Sequence, residues 1–201
     1  VSVYPENAQI GLESHQGSVT LFDANNGVPL AIMDAGQITA IRTAAVSAVA
    51  TKILAKKNSK VLAILGSGVQ ASSHVEAMTT ILDLDEIRVW SRNKDNAKNF
   101  VEKQSKKYGV PLQCFDSVTD STCDADVICT TTASVEPVLH GKYLMDGVHI
   151  NAVGSSVYNT RELDGTAMQL CKLYVDKKES TINESGDFLL AKQEGAIDDN
   201  H

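Results

Sequence analysis

Positive charge is scarce in this chain. Across 201 residues, 18 Lys and Arg face 25 Asp and Glu, a formal net charge of −7. Such a surface has little with which to hold a polyanion, which argues against a nucleic-acid or membrane-surface partner. Long apolar runs are also missing. None approaches the roughly 18 residues of a bilayer span, and no signal peptide opens the sequence. Cys114, Cys123, Cys129 and Cys171 lack C-x-x-C spacing, and His15, His74, His140, His149 and His201 lack ligand spacing. No metal site is expected, and the thiols read as reduced ones in a cytoplasmic protein.

What is present is ordinary globular composition, 43% hydrophobic and 21% charged, enough for one large or two small domains. The chain centres on Lys60–Ala71. Val61–Leu65 is an unbroken apolar run, suited to a strand buried on both faces of a parallel sheet. Gly66-Ser67-Gly68-Val69-Gln70-Ala71 follows at once and fits G-x-G-x-x-A. Gly66 allows the tight turn, Gly68 lets the backbone approach a pyrophosphate, and Ala71 lets the helix sit close to the sheet. The start of that helix offers free N–H groups and partial positive charge to phosphates. Strand, turn and helix in this order predict a dinucleotide site.

Before the glycine turn, Ser18–Phe22 and Pro29–Asp34 read as strands joined by a turn containing Asn26-Gly27, a hairpin signal. An antiparallel ribbon does not belong in a parallel nucleotide-binding sheet, so a second, smaller domain is expected. Gln37–Lys56 reads as a long, alanine-rich helix. Ile38, Arg42, Ala45, Val49 and Ile53 fall on one stripe, expected to pack. A guanidinium on a packed stripe needs an anion. A ligand carboxylate or phosphate would serve, and so would a protein carboxylate or solvent.

Beyond the turn, Glu86–Ser91, Leu112–Phe115, Ala125–Cys129, Gly147–Val153 and Leu173–Asp176 read as strands. Helices are expected from Gly68 to about Leu82 and over Lys94–Tyr108, with a helical turn at Asp116–Cys123. The tally predicts an α/β fold, a doubly wound Rossmann-type parallel sheet. At the end of the second strand an NAD enzyme usually carries Asp or Glu to bind the ribose 2′-hydroxyl. Here Ser91-Arg92-Asn93 stands instead, and Arg92 would attract a 2′-phosphate. NADP(H) is therefore expected in preference to NAD(H), which stays possible. The hydroxyl-rich loop Thr130–Ser134 follows another strand where such sheets bind ligands, or is a plain turn. His149, in an apolar strand, reads as a core histidine rather than a catalytic one.

Several stretches together resemble the ornithine cyclodeaminase/mu-crystallin family. They are Ser14-His15-Gln16-Gly17, Ile38–Ala45, Gly66–Ala71, Val89-Trp90-Ser91-Arg92, His149–Gly154, Arg161-Glu162-Leu163-Asp164 and Glu184-Ser185-Gly186-Asp187. The resemblance covers nearly the whole chain and implies a dimeric NAD(P)-dependent oxidoreductase of amino acid metabolism. Its nucleotide-binding domain would be joined to an α+β substrate/dimerisation domain built from both chain ends. That places 1–36 in the substrate domain, 37–59 in a connecting helix, 60–190 in the nucleotide-binding domain and 191–201 at the start of a return. Family members are longer at both ends, so this chain is expected to be part of a longer one.

By the same resemblance Arg42 grips the substrate carboxylate. Thr43, Gly66, Ser67, Gly68, Val69, Gln70, Ser91, Arg92 and Asn93 hold the cofactor, while Thr130, Thr131, Val153 and Gly154 line the nicotinamide. Cyclodeaminases carry an aspartate where Ser156 stands here, and a serine at its free pKa is a poor base. The pattern is closer to the ketimine reductases, which implies reduction of a cyclic imine carboxylate such as pyrroline- or piperideine-2-carboxylate. Ornithine cyclodeaminase, an alanine- or opine-type dehydrogenase, and a non-catalytic binder of NADPH and a small ligand are the alternatives. The family's substrate-binding lysine would precede Val1, so no catalytic acid is assigned.

Overall fold

The computed structural model describes residues 1–201, apart from the side chains of Pro5, Ala8 and Gln9. By packing, the chain divides into Val1–Ala44 and Ala45–His201.

In the first unit, β1 (Ser2–Val3) pairs antiparallel with β2 (His15–Gln16) around a 3-10 helix at Pro5–Ile10. β3 (Ser18–Phe22) and β4 (Pro29–Asp34) form the expected hairpin, with Ser18 opposite Asp34 and a bulge at Leu21/Phe22. Its turn is made by the residues that signalled it. The Asp23 carboxylate accepts from the Asn25 and Asn26 N–H groups, and Asn26 Oδ1 accepts from Val28 N–H at 2.9 Å. Gly27 takes φ +74°, a left-handed conformation that glycine adopts freely. Leu21, Phe22, Leu30 and Ile32 of this ribbon are exposed.

α1 (Ala35–Leu54) starts two residues before the expected Gln37, because Asp34 Oδ1 accepts from Gln37 N–H at 2.8 Å. It is continuous across the division between the units. The stripe expected to pack does not. Arg42, Ala45, Val49 and Ile53 are exposed, and the buried face is Ala40, Ala44, Ser47, Ala48 and Thr51. The buried face is made of small residues, and Ala48 joins the core with Leu62 and Ile64. Thr51 Oγ1 accepts from the buried Asn151 side chain at 2.9 Å.

The second unit holds a five-stranded parallel sheet: β5 (Val61–Leu65), β6 (Glu86–Trp90), β7 (Leu112–Cys114), β8 (Val127–Thr130) and β9 (His149–Ala152), in the order β7-β6-β5-β8-β9. β5 is central and buried on both faces, as its unbroken apolar run requires. Leu62 and Ile64 enter one core with α2 (Val69–Ile81) and α3 (Lys94–Gln104). Ala63 and Leu65 enter the other with α5 (Gly165–Leu170) and α7 (Gly186–Gln193). Each fully buried Leu or Ile contributes roughly 1.5–3 kcal/mol. α4 (Val118–Thr122) is capped by Ser117, whose hydroxyl accepts from Asp120 N–H at 3.0 Å, and α6 (Lys178–Glu184) precedes α7. Among the described residues no helix is long and apolar enough to cross a membrane.

One expectation for the C-terminal part is corrected. Leu173–Asp176 pairs with no strand: Tyr174 and Val175 are exposed and only Leu173 reaches the core. Residues 191–201 pack with the second unit. Ala191 and Ile197 are buried in the second core, and the Glu194 carboxylate takes both Arg161 guanidinium nitrogens in a bidentate pair. His149 is half-buried, its Nε2 against Asn151 Oδ1 at 3.3 Å, and burial lowers its pKa.

Candidate functional site

The site lies at the carboxyl ends of β5, β6, β8 and β9. The chain crosses from β5 to β6 on one side and reaches β8 on the other, the switch point at which sheets of this kind bind ligands. Gly66 turns the chain out of β5 with φ +129°, held by its N–H on Trp90 O at 2.8 Å. A Cβ there would lie 2.5 Å from Thr131 Oγ1 and 2.8 Å from Thr131 O. Gly68 is the residue before α2, with ordinary extended angles, and a Cβ there would meet nothing within 4 Å.

No side chain caps α2. Among the described residues the N–H groups of Val69, Gln70 and Ala71 have no acceptor, while the next bond, Ser72 N to Gly68 O, closes the first turn. An open, glycine-floored helix start with free donors is the shape and charge a pyrophosphate needs. The residues present therefore fit a dinucleotide.

Ser67 Oγ donates to Ser91 Oγ at 3.0 Å and ties the glycine turn to the end of β6. Arg92 is exposed, and no hydrogen bond or ion pair holds its guanidinium among the described residues. Asn93 is committed elsewhere: its Oδ1 caps α3, accepting from Asp95 and Asn96 N–H at 2.9 and 3.2 Å. Arg42 and Thr43 lie in the first unit. Arg42 is exposed, so the argument for an anion from a packed stripe falls away. Thr43 Oγ1 donates back to Thr39 O at 2.7 Å.

The hydroxyls of the threonine loop bond within the protein. Thr130 is fully buried and donates to Glu162 Oε2 at 2.7 Å. Thr131 donates to Leu65 O at 3.1 Å, and Thr132 to Glu162 Oε1 at 2.7 Å. All three hydroxyls are engaged within the protein. Val153 is half-buried, with its N–H on Thr130 O at 3.0 Å. Gly154 is required by close approach, since a Cβ would overlap Thr132 O and stand 2.7 Å from the Glu162 carboxyl carbon.

Glu162 is the residue to which sequence reasoning gave no role. It has no exposed surface, and its carboxylate also accepts from Thr132 N–H at 2.5 Å and Gly154 N–H at 2.6 Å. Burial pushes its pKa up, while these donors pull it down. Buried Asp187 holds the Glu162 main chain, its Oδ1 accepting from Glu162 and Leu163 N–H at 2.8 and 3.0 Å. Both residues sit in stretches that carried the family resemblance. Nothing in their spacing pointed to the loop, because the contacts of Glu162 run 8 to 32 residues along the chain. Ser156 is exposed, whereas its neighbour Ser155 is buried and donates to Thr160 O at 2.9 Å.

Sheet order, glycine turn and uncapped helix start define a doubly wound α/β protein of the dinucleotide-binding type. The model of the ornithine cyclodeaminase/mu-crystallin family matches residues 1–199, and the chain belongs to that family. It is 47% identical over 191 residues to the ketimine reductase mu-crystallin of Mus musculus, covering 95% of this chain and 60% of that protein. The structure of Thermococcus litoralis Delta(1)-pyrroline-2-carboxylate reductase, in complex with NADH and L-proline, matches with TM-score 0.95 and 42% identity, covering 99% of this chain and 62% of that one. An archaeal alanine dehydrogenase dimer with bound NAD matches with TM-score 0.88 and 32% identity, covering 97% and 60%. The chain thus spans about three fifths of the length of these relatives.

Proposed function

We propose that this protein reduces a cyclic imine carboxylate, of the pyrroline- or piperideine-2-carboxylate type, to the cyclic amino acid with NAD(P)H. The observation that carries the reading is the open, uncapped start of α2 behind Gly68, in a chain 47% identical to a ketimine reductase. When bound, the dihydronicotinamide would supply a hydride to the C=N carbon. The α2 N–H groups receive the pyrophosphate. Thr131 and the Val153–Gly154 turn border the nicotinamide. Arg42 fixes the substrate carboxylate with a bidentate fork and so sets the face of attack. That role rests on the family resemblance, and its exposed guanidinium is compatible with it.

Arg92 supports NADPH as the preferred cofactor, since it is free to meet a 2′-phosphate and no carboxylate occupies its place. NADH is the alternative, the cofactor bound in the Thermococcus litoralis relative. Exposed Ser156, where cyclodeaminases carry aspartate, disfavours ornithine as substrate. A cytoplasmic homodimer is proposed, in keeping with the dimeric archaeal relative and the exposed apolar hairpin of the first unit.

The test is loss of NADPH absorbance with a cyclic ketimine carboxylate, run beside NADH and beside ornithine with NAD. Oxidation with the imine, faster with NADPH, is expected. Proline and ammonia from ornithine would overturn the reading, and so would NADPH binding without turnover. An Arg92→Ala protein should lose most of its preference for NADPH over NADH.

A further inference from the structure

We propose that Glu162 is the positioning residue of the nicotinamide half of the site, fastening the Thr130–Thr132 loop to the Val153–Gly154 turn through one carboxylate. The inference rests on the proposed function for the assignment of those two segments to the nicotinamide.

The geometry is demanding. Oε1 accepts from Thr132 N–H at 2.5 Å and Thr132 Oγ1 at 2.7 Å. Oε2 accepts from Thr130 Oγ1 at 2.7 Å and Gly154 N–H at 2.6 Å. Each oxygen thus takes one hydroxyl and one main-chain N–H. A hydroxyl can rotate to accept instead of donate, but a main-chain N–H cannot. The acid form can therefore be accommodated by reversing a threonine hydroxyl. An amide cannot, because its NH2 must face the N–H of either Thr132 or Gly154. Glutamine has the size of glutamate, yet it would push one of the two segments away.

The segments end β8 and β9, neighbouring parallel strands, and Val153 N–H already bonds Thr130 O at 3.0 Å. The sheet fixes the strands, and Glu162 fixes what hangs beyond them. Its own main chain is held by Asp187, on α7, on the far side from the two segments in sequence. The Gly66–Gly68 turn and the start of α2 make no bond with Glu162 itself and meet the loop it holds only through Thr131, whose N–H and hydroxyl both bond Leu65 O, so the pyrophosphate half of the site depends on it less directly.

The experiment compares two ligands in the full-length protein, NADPH and 2′-phospho-ADP-ribose, which differ only in the nicotinamide. If the wild type prefers NADH, the pair is NADH and ADP-ribose. Glu162→Gln is expected to bind the ADP-ribose compound as the wild type does, to bind the dinucleotide about tenfold more weakly, and to lose kcat. Thr132→Val, a milder change that keeps the main-chain donor, should shift the ratio of the two affinities in the same direction, and Thr132→Ser should restore it. These two carry the test if Glu162→Gln does not fold. Equal weakening of both ligands would mean a general structural role and overturn the proposal, as would an unchanged ratio in Thr132→Val. A wild type that binds neither ligand would overturn the functional reading itself, and this inference with it.

Discussion

Gly66 and Gly68 stand two residues apart in one motif, yet alanine at the two positions should do opposite things. At Gly66 the backbone has φ +129°, which a side chain tolerates at a cost of about 1–3 kcal/mol. The new Cβ would also lie 2.5 Å from Thr131 Oγ1 and 2.8 Å from Thr131 O. The hydroxyl can turn away only by giving up its bond to Leu65 O, and the carbonyl belongs to a loop tied to β5. Overpacking of this kind costs about 1–3 kcal/mol more. The sum, about 2–6 kcal/mol, corresponds to a melting temperature lower by about 4–24 °C for a unit of this size.

At Gly68 the angles are ordinary and the Cβ meets nothing. Stability should fall by no more than about 1 kcal/mol, the difference between glycine and alanine before a helix. The methyl group instead fills the space through which the backbone approaches a pyrophosphate. A misfit of about 1–3 kcal/mol there weakens dinucleotide binding about 5- to 150-fold. Thermal melts by circular dichroism and titration with NADPH fluorescence read both effects. A Gly68→Ala protein that binds NADPH like the wild type would refute the cradle. A Gly66→Ala protein melting within about 2 °C of the wild type would refute the strain argument.

Arg42→Ala should raise the KM for the imine at least about tenfold while leaving the Kd for NADPH within about twofold, the signature of a lost carboxylate clamp. Equal loss of both would show that the arginine does something else. The Arg161–Glu194 pair predicts a pH dependence. The guanidinium lowers the Glu194 pKa, so the pair stabilises the fold above the ordinary carboxylate range and loses that contribution as pH falls through the lowered value. Glu194→Gln should therefore melt a few degrees below the wild type at pH 7, and the gap should close as pH falls below the ordinary carboxylate range. Among the thiols, exposed Cys123 should react first with a disulfide reagent. Buried Cys129, its pKa pushed up to about 12 by desolvation and countered only in part by the Asn151 side chain, should react only on unfolding.

The parts of this molecule that local chemistry specifies were legible in the sequence. The Asp23–Gly27 turn, the central strand and the glycine turn each follow from residues in contact along the chain. What was not legible depends on partners far away. In α1 the large apolar residues suggested the wrong face, because the residues that the fold buries there are alanine, serine and threonine, while Val49 and Ile53 are exposed. Leu173–Asp176 has strand-forming residues but no neighbouring strand to pair with. Glu162 looked like one acidic residue among 25 Asp and Glu until the fold brought two threonines and a glycine N–H around it. The loop of Thr130 and Thr131 was placed beside the ligand by its position after a strand, but that its hydroxyls bond Glu162 and Leu65 was not legible.

The carboxylate that gathers the loops beyond β8 and β9 is made late. Glu162 follows the threonines it holds by 30 to 32 residues, which at translation speeds of about 5–20 residues per second leaves the earlier loop waiting for about 2–6 seconds. Gly66, Gly68 and α2 are all synthesised well before that interval. A growing chain halted ahead of Glu162 would therefore hold the residues that greet a pyrophosphate but not the carboxylate that ties Thr130 and Thr132 to Gly154. The two halves of the site are completed in the order in which the chain emerges.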